Sequence, residues 1–213
     1  MSFFFFQHPT TILISGPTRS GKTYFVIRTL EFHLINPFPT KILWFYKEWQ
    51  TAYDNVLKKI PNIEFINGID EQKLEQINSL DRNLVVMDDL MNSASTSKQV
   101  ANLFTQESHH KNLTVILLVQ NLFHQGKEMR TISLNAHYII LYKNPRDQSQ
   151  IKYLSQQIFP DNSKFLTNVF HHATAVPHSY LIIDLHPETS EDLRILSNIF
   201  PDEKIRVYVP ITI

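Results

Sequence analysis

The stretch Gly16-Pro17-Thr18-Arg19-Ser20-Gly21-Lys22-Thr23 fits the pattern G-x-x-x-x-G-K-[ST] without a mismatch. Residues of these types at this spacing bind phosphate. Backbone N–H groups around Gly16 and Gly21, in the loop Gly16-Pro17-Thr18-Arg19-Ser20-Gly21, are expected to wrap a polyphosphate, and the helix N-terminus behind them adds a partial positive charge. Lys22 would reach the β- and γ-phosphates, and the Thr23 hydroxyl would ligate Mg²⁺. The chain has only four glycines and two of them fall in this motif, so it is not a chance match inside a Gly-rich loop. Hydrolysis of a bound triphosphate such as ATP also needs a carboxylate for the Mg²⁺ shell and a group that orients water. Asp88 and Asp89, which close the apolar run Asn83-Leu84-Val85-Val86-Met87, fill those places. Asp88 would hold a Mg²⁺-bound water and Asp89 would polarise the nucleophilic one. Gln120, at the end of Leu113 to Val119, either senses the γ-phosphate or simply caps a strand edge. Arg146, Arg130 and Arg19 are three candidates for an arginine finger, although a solvated surface charge is the commoner fate of an arginine.

These groups need a sheet edge to hold them. Thr11-Ile12-Leu13-Ile14 reads as a buried strand, and Tyr24 to Leu34 has helical spacing, with Val26, Thr29, Leu30, His33 and Leu34 on one stripe. That stripe makes His33 a core-edge residue, and Pro37 and Pro39 are expected to end the helix. Further strands are predicted over Ile42 to Tyr46, Ile63 to Ile66, Asn83 to Met87, Leu113 to Val119, His137 to Tyr142 and Tyr180 to Leu185. Helices are predicted over Glu71 to Leu80, Ser97 to Lys111, Gln148 to Ile158, Ser163 to Thr174 and Glu191 to Phe200, the last with Thr189 and Asp192 as a capping box. The tail alternates Ile205, Val207, Val209, Ile211 and Ile213 with polar or Pro residues, as a half-buried edge strand does. Strands alternating with helices predict an α/β fold, a mostly parallel sheet flanked by helices. Right-handed crossovers then put the ends of Ile14, Met87 and Val119 on one edge. The Phe3 to Phe6 cluster before the first strand would pack on the sheet or stack on a nucleotide base.

Composition narrows the class. At 213 residues the chain suits one large domain, here 1–213, with a motor core over 1–146 and C-terminal helices and edge strands of the same domain over 147–213. The longest aliphatic run, Val115 to Val119, cannot cross a bilayer, and Phe3 to Phe6 lacks the basic flank of a signal peptide, so neither membrane contact nor export is expected. With no cysteine, disulfides and thiolate metal sites are excluded. Lys plus Arg (20) balances Asp plus Glu (20), so any nucleic-acid contact must be local. His109-His110-Lys111 and His124 to Arg130 are the two basic segments to consider.

The phosphate loop, Val85-Val86-Met87-Asp88-Asp89-Leu90-Met91, the segment Leu103 to Leu113, Gln120-Asn121-Leu122-Phe123-His124-Gln125-Gly126-Lys127 continuing to His137, and Lys143-Asn144-Pro145-Arg146-Asp147 together resemble the poxvirus-type genome-packaging ATPases of the FtsK/HerA superfamily, in particular those of Polinton/Maverick elements and adintovirus-like viruses. The resemblance covers about residues 8–160 and is most specific from Leu103 to Asp147. It implies a P-loop NTPase core of the RecA/FtsK-like additional-strand type. It also implies an ATP- and Mg²⁺-dependent motor that drives viral double-stranded DNA into a capsid as a homo-oligomeric ring, within the host cell and associated with virions. Lys22 and Thr23 carry over as phosphate and Mg²⁺ residues, Asp88 and Asp89 as Walker B, and Gln120 as the polar sensor. Asp89 stands where many members have Glu, and no accessory domain is expected before the first strand. A P-loop kinase, a single-strand helicase and a nucleotide-gated capsid or DNA interaction protein share parts of this pattern. Asp88-Asp89 with Gln120 suits water as acceptor better than a kinase lid.

Overall fold

The computed structural model describes residues 4–123 and 126–210. In chain order the elements are strands β1 (Phe6–Gln7) and β2 (Thr11–Ser15), helix α1 (Lys22–Glu31), strands β3 (Ile35–Asn36) and β4 (Lys41–Tyr46), helix α2 (Thr51–Lys59), strand β5 (Ile63–Asn67), helix α3 (Glu71–Glu75) and strand β6 (Asn83–Asp88). There follow α4 (Met91–Ala94), α5 (Lys98–Asn102), a π-helical turn over Leu103–Glu107, α6 (Ser108–His110), β7 (Leu113–Val119), α7 (Met129–Leu134), β8 (Tyr138–Tyr142), α8 (Ser149–Ile158), α9 (Ser163–Ala173) and the strands β9 (Tyr180–Asp184), β10 (Ile195–Ser197) and β11 (Arg206–Val207).

Nine strands form one sheet in the order β11-β10-β9-β8-β2-β7-β6-β4-β5. From β8 to β5 every pairing is parallel, and β9, β10 and β11 extend the sheet antiparallel. β7 is inserted between β2 and β6, in register Ile14↔Leu118 on one side and Met87↔Leu117 on the other. Its seven residues are all buried, as a parallel strand covered on both faces requires. Alternation sorts the core into two layers. Ile12, Ile14, Val86 and Leu118 face α1 and α2, where Phe25, Val26, Leu30 and Tyr53 meet them. Leu13, Val85, Met87 and Leu117 face α5, α7, α8 and α9. Each such buried aliphatic contributes about 1.5–3 kcal/mol, which fixes the register of the central strands against a one-residue slip.

Several expectations need correction. The first helix ends at Glu31, before either proline: His33 turns left-handed (φ 54°) and the Leu34 N–H closes on the Thr29 carbonyl at 2.9 Å. His33 is therefore exposed and lies against Phe38 with the rings tilted, and it is not a core-edge residue. Glu191 to Phe200 is not a helix. Only Glu191–Leu193 makes a 3₁₀ turn, and Ile195–Ser197 pairs antiparallel with β9. The expected cap is spent elsewhere, since the Thr189 hydroxyl donates to Asp184. Glu71 to Leu80 is helical only as far as Glu75. In the tail Val207 and Val209 are exposed, and Tyr208 instead turns inward to Ser197 and to His172 of α9. Ile211, Ile213, Phe3, His124 and Gln125 lie outside the described residues. Phe4 and Phe6 pack edge-on with each other and with Tyr138 beside the amino end of β2, far from the phosphate loop, so packing and not base stacking is their role.

Candidate phosphate and metal site

β2 delivers the chain to the carboxyl edge of the sheet. The Gly16 N–H donates to the Val119 carbonyl at 3.1 Å, so the loop starts as a continuation of the β2–β7 ladder. At Gly16 a side chain has no room: a Cβ would sit 2.6 Å from the Tyr142 Cβ and 2.8 Å from the Ser20 Oγ. Arg19 (φ 65°) and Gly21 (φ 108°) are left-handed, and such a reversal turns successive N–H groups into the bend as an anion nest. No side chain caps α1 and no acidic residue occupies its first turn, which leaves the helix N-terminus open to a ligand.

Lys22 arches over the loop and donates to the carbonyls of Gly16 (2.7 Å) and Pro17 (3.0 Å). Burial lowers its pKa, while Asp88 and Asp89 pull it back up. The Thr23 hydroxyl donates to Asp88 Oδ2 at 2.8 Å, and the Tyr53 hydroxyl donates to the same oxygen at 2.9 Å. Asp88 is almost fully buried; burial raises its pKa, opposed by these two hydrogen bonds. The Tyr53 hydroxyl is likewise held protonated by burial and by the neighbouring Asp88. Asp89, one residue on, is exposed and left-handed (φ 59°).

The donor set fits a phosphate chain with Mg²⁺. Ser20 Oγ is buried without a partner in the heart of the loop, and Lys22 is held by carbonyls that a phosphate would replace. Among the described residues no group of three or more His, Cys, Asp or Glu could hold a metal unaided. Thr23 and Asp88 in contact are what a Mg²⁺ ion bound mainly through water and phosphate requires. The adjoining cavity of about 590 Å³ is lined by the loop, Asp88 and Asp89, and also by Glu48, Trp49 and Gln50.

Tyr53 and Glu48 are missing from the sequence-based site. Residues 47–62 carry no motif, and only the parallel β4–β6 pairing brings the end of β4 beside Asp88. A carboxylate just past a predicted strand end was the available signal. Gln120 ends β7 on the same edge, exposed, with its N–H against the Met91 sulfur, and it is not among the residues lining the cavity. Arg146 and Arg130 are exposed on the β8–α8 loop and α7, and Arg19 is the only arginine among the described residues lining this cavity. His109-His110-Lys111 precede β7, and of the second basic segment Lys127 and Arg130 follow it, just before and within α7. Lys111 is committed to Glu107 and the Leu74 carbonyl. No described helix is long and apolar enough to cross a membrane.

No family model matches the chain, and no curated protein does. Solved structures do. The DNA-packaging ATPase B204 of Sulfolobus turreted icosahedral virus aligns over 96% of this chain and 98% of its own with a TM-score of 0.58 at 14% identity. The genome packaging NTPase B204 of Sulfolobus turreted icosahedral virus 2, in complex with ATP-gammaS, aligns over the same shares with a TM-score of 0.57 at 16% identity. The flagellar accessory protein FlaH of Methanocaldococcus jannaschii covers 96% of this chain and 92% of its own, with a TM-score of 0.52 at 12% identity. At these identities the likeness is one of fold, and with β7 inserted between β2 and β6 the chain has the fold of the RecA-like P-loop ATPases.

Proposed function

We propose that this chain is an ATPase that uses Mg²⁺ to drive double-stranded DNA into a viral capsid, working as a ring of identical subunits of the FtsK/HerA type inside the host cell and on the virion. The observation that carries the ATPase reading is the direct Thr23–Asp88 hydrogen bond beneath an uncapped, glycine-bounded loop. The packaging reading is supported by end-to-end similarity of fold to B204.

In this reading Gly16 and Pro17 shape the loop, Thr18, Arg19, Ser20 and Gly21 present backbone N–H groups to the phosphates, and Lys22 leaves its two carbonyls for the β- and γ-oxygens. Thr23 would ligate the metal and Asp88 would hold one of its waters, and the metal would supply charge neutralisation at those oxygens. Asp89 accepts a hydrogen bond from the attacking water. With Arg19 the only arginine on the described lining, a transition-state arginine comes from a neighbouring copy, with Arg146 favoured and Arg130 the alternative. Gln120 then reads the γ-phosphate at the subunit boundary. A ring concentrates even one or two cations per subunit, such as Lys127 just before α7 and Arg130 in its first turn, around a DNA strand pair despite the neutral total charge.

The test is steady-state ATP hydrolysis with long duplex DNA, with single-stranded DNA and without DNA, alongside mass in solution, with Lys22→Ala as the inactive control. Duplex-specific stimulation in ring-sized particles is expected. A monomer that hydrolyses ATP without regard to DNA would refute the motor. Preference for single strands would make the chain a helicase.

A further inference from the structure

Beside the phosphate loop lies a second cavity of about 470 Å³, within the range of small-ligand pockets. Gly21 and Tyr24 border both cavities, so the two adjoin at the first turn of α1. With Lys22 and Thr23 facing the β- and γ-phosphates, the rest of a nucleotide must leave past Tyr24, the next residue of that turn. The second cavity is what it meets.

Its walls are aromatic. Phe25, Tyr142, Tyr180 and Phe200 are buried there, and Tyr24 stands at the mouth with 64% of its surface free to lie against a planar group. The floor is fixed by a network of charged and aromatic side chains. Arg28 stacks on Phe200 with its guanidinium carbon 3.9 Å from the ring centre and pairs with Asp202 and Glu203. Tyr180 donates to Glu203 and accepts from the Ile199 N–H. On the far side His178 contacts the Ser20 carbonyl through Nδ1, tying the wall of this cavity to the phosphate loop. Asn198 also lines the cavity, and among the described residues its side-chain amide has no hydrogen-bond partner. It is held left-handed (φ 58°) immediately before the Ile199 N–H that Tyr180 fixes.

We infer that this cavity is the nucleobase site and that it selects adenine, with Tyr24 against the ring face and the Asn198 amide on the base edge. A carboxamide offers one acceptor and one donor side by side, matching the amino group and adjacent ring nitrogen of adenine. The corresponding N7 and O6 edge of guanine presents two acceptors and leaves one amide group unmatched. This inference rests on the phosphate-site reading above and extends it to the other end of the same ligand.

The test is calorimetric binding of ATPγS, GTPγS and inorganic tripolyphosphate, each with Mg²⁺, to the full chain and to Asn198→Gly and Tyr24→Ala. Glycine keeps the left-handed backbone at 198 while removing the amide, so the fold is retained. The wild-type chain is expected to bind ATPγS at least tenfold more tightly than GTPγS and than tripolyphosphate. Asn198→Gly should bring the two nucleotides within about threefold of each other, and Tyr24→Ala should weaken both. Neither should alter tripolyphosphate binding, which reports the intact phosphate loop. Unchanged base preference in both variants, with tripolyphosphate still bound, would overturn the nucleobase site alone. Failure of wild type to bind tripolyphosphate would overturn the phosphate-site reading and this one with it.

Discussion

Removing one hydroxyl by Tyr53→Phe isolates the link between stability and the candidate metal carboxylate. Tyr53 is fully buried and donates to Asp88 Oδ2 at 2.9 Å, while Asp88 is itself almost fully buried. A hydrogen bond to a charged acceptor is worth about 1.5–3 kcal/mol, and phenylalanine leaves no compensating donor. At about 2–4 °C per kcal/mol for a chain of this size, Tm at neutral pH should fall by about 3–12 °C. The effect should depend on pH in a definite direction. Burial raises the pKa of Asp88, so the folded state holds that proton more tightly than the unfolded chain does. The cost of ionising Asp88 is absent below the unfolded value and grows as pH rises through the folded one. Tyr53 offsets that cost only where Asp88 is ionised, so the penalty of Tyr53→Phe should shrink on acidification. The assay is urea or thermal unfolding of wild type, Tyr53→Phe, Asp88→Asn and the double variant across pH 4 to 8. An equal loss in the Asp88→Asn background, or one independent of pH, would show that the hydroxyl acts through packing and would refute the reasoning.

Three other outcomes follow from the same geometry. Asp89→Asn should leave ATP binding intact and stop hydrolysis; Glu48→Gln is the companion, because Glu48 borders the same cavity, and hydrolysis retained in the first but lost in the second would transfer the water-orienting role to Glu48. Gly16→Ala would place a methyl 2.6 Å from the Tyr142 Cβ, an overpacking that costs about 1–3 kcal/mol and should displace the loop, read as lowered Tm together with lost phosphate affinity. Arg146→Ala should abolish turnover, and mixing it with Lys22→Ala subunits should recover some activity; no recovery would remove Arg146 as a finger supplied in trans.

The parts legible in the sequence are those whose cause is local. Gly16 to Thr23 encode their bend through spacing, and the unbroken aliphatic run Val115 to Val119 declares a doubly covered strand. The helices after the loop and over Ser149–Ile158 and Ser163–Ala173 show their period directly. What escaped depends on partners distant in the chain. Ile195–Ser197 is a strand because β9 lies beside it, and that pairing overrides an apparent helix cap at Thr189. Tyr53 enters the site because α2 packs against the strand that carries Asp88, 35 residues away, and nothing in its own neighbourhood announces that contact. Asn198 is visible only once β10 has ended and the backbone has turned left-handed.

β7 has one consequence that reaches beyond the core. It stands between the strand that launches the phosphate loop and the strand that ends in Asp88, and two hydrogen-bonded spacings of about 4.8 Å set those strands roughly 9.6 Å apart. The strand is thus a gauge block: its two ladders set the width across which α1 brings Thr23 to meet Asp88. Neither loop can adjust that width by itself. A change of volume at Val115 or Leu117 therefore alters the calibration of the site as well as the filling of the interior, and selection on chemistry bears on residues that never approach a ligand.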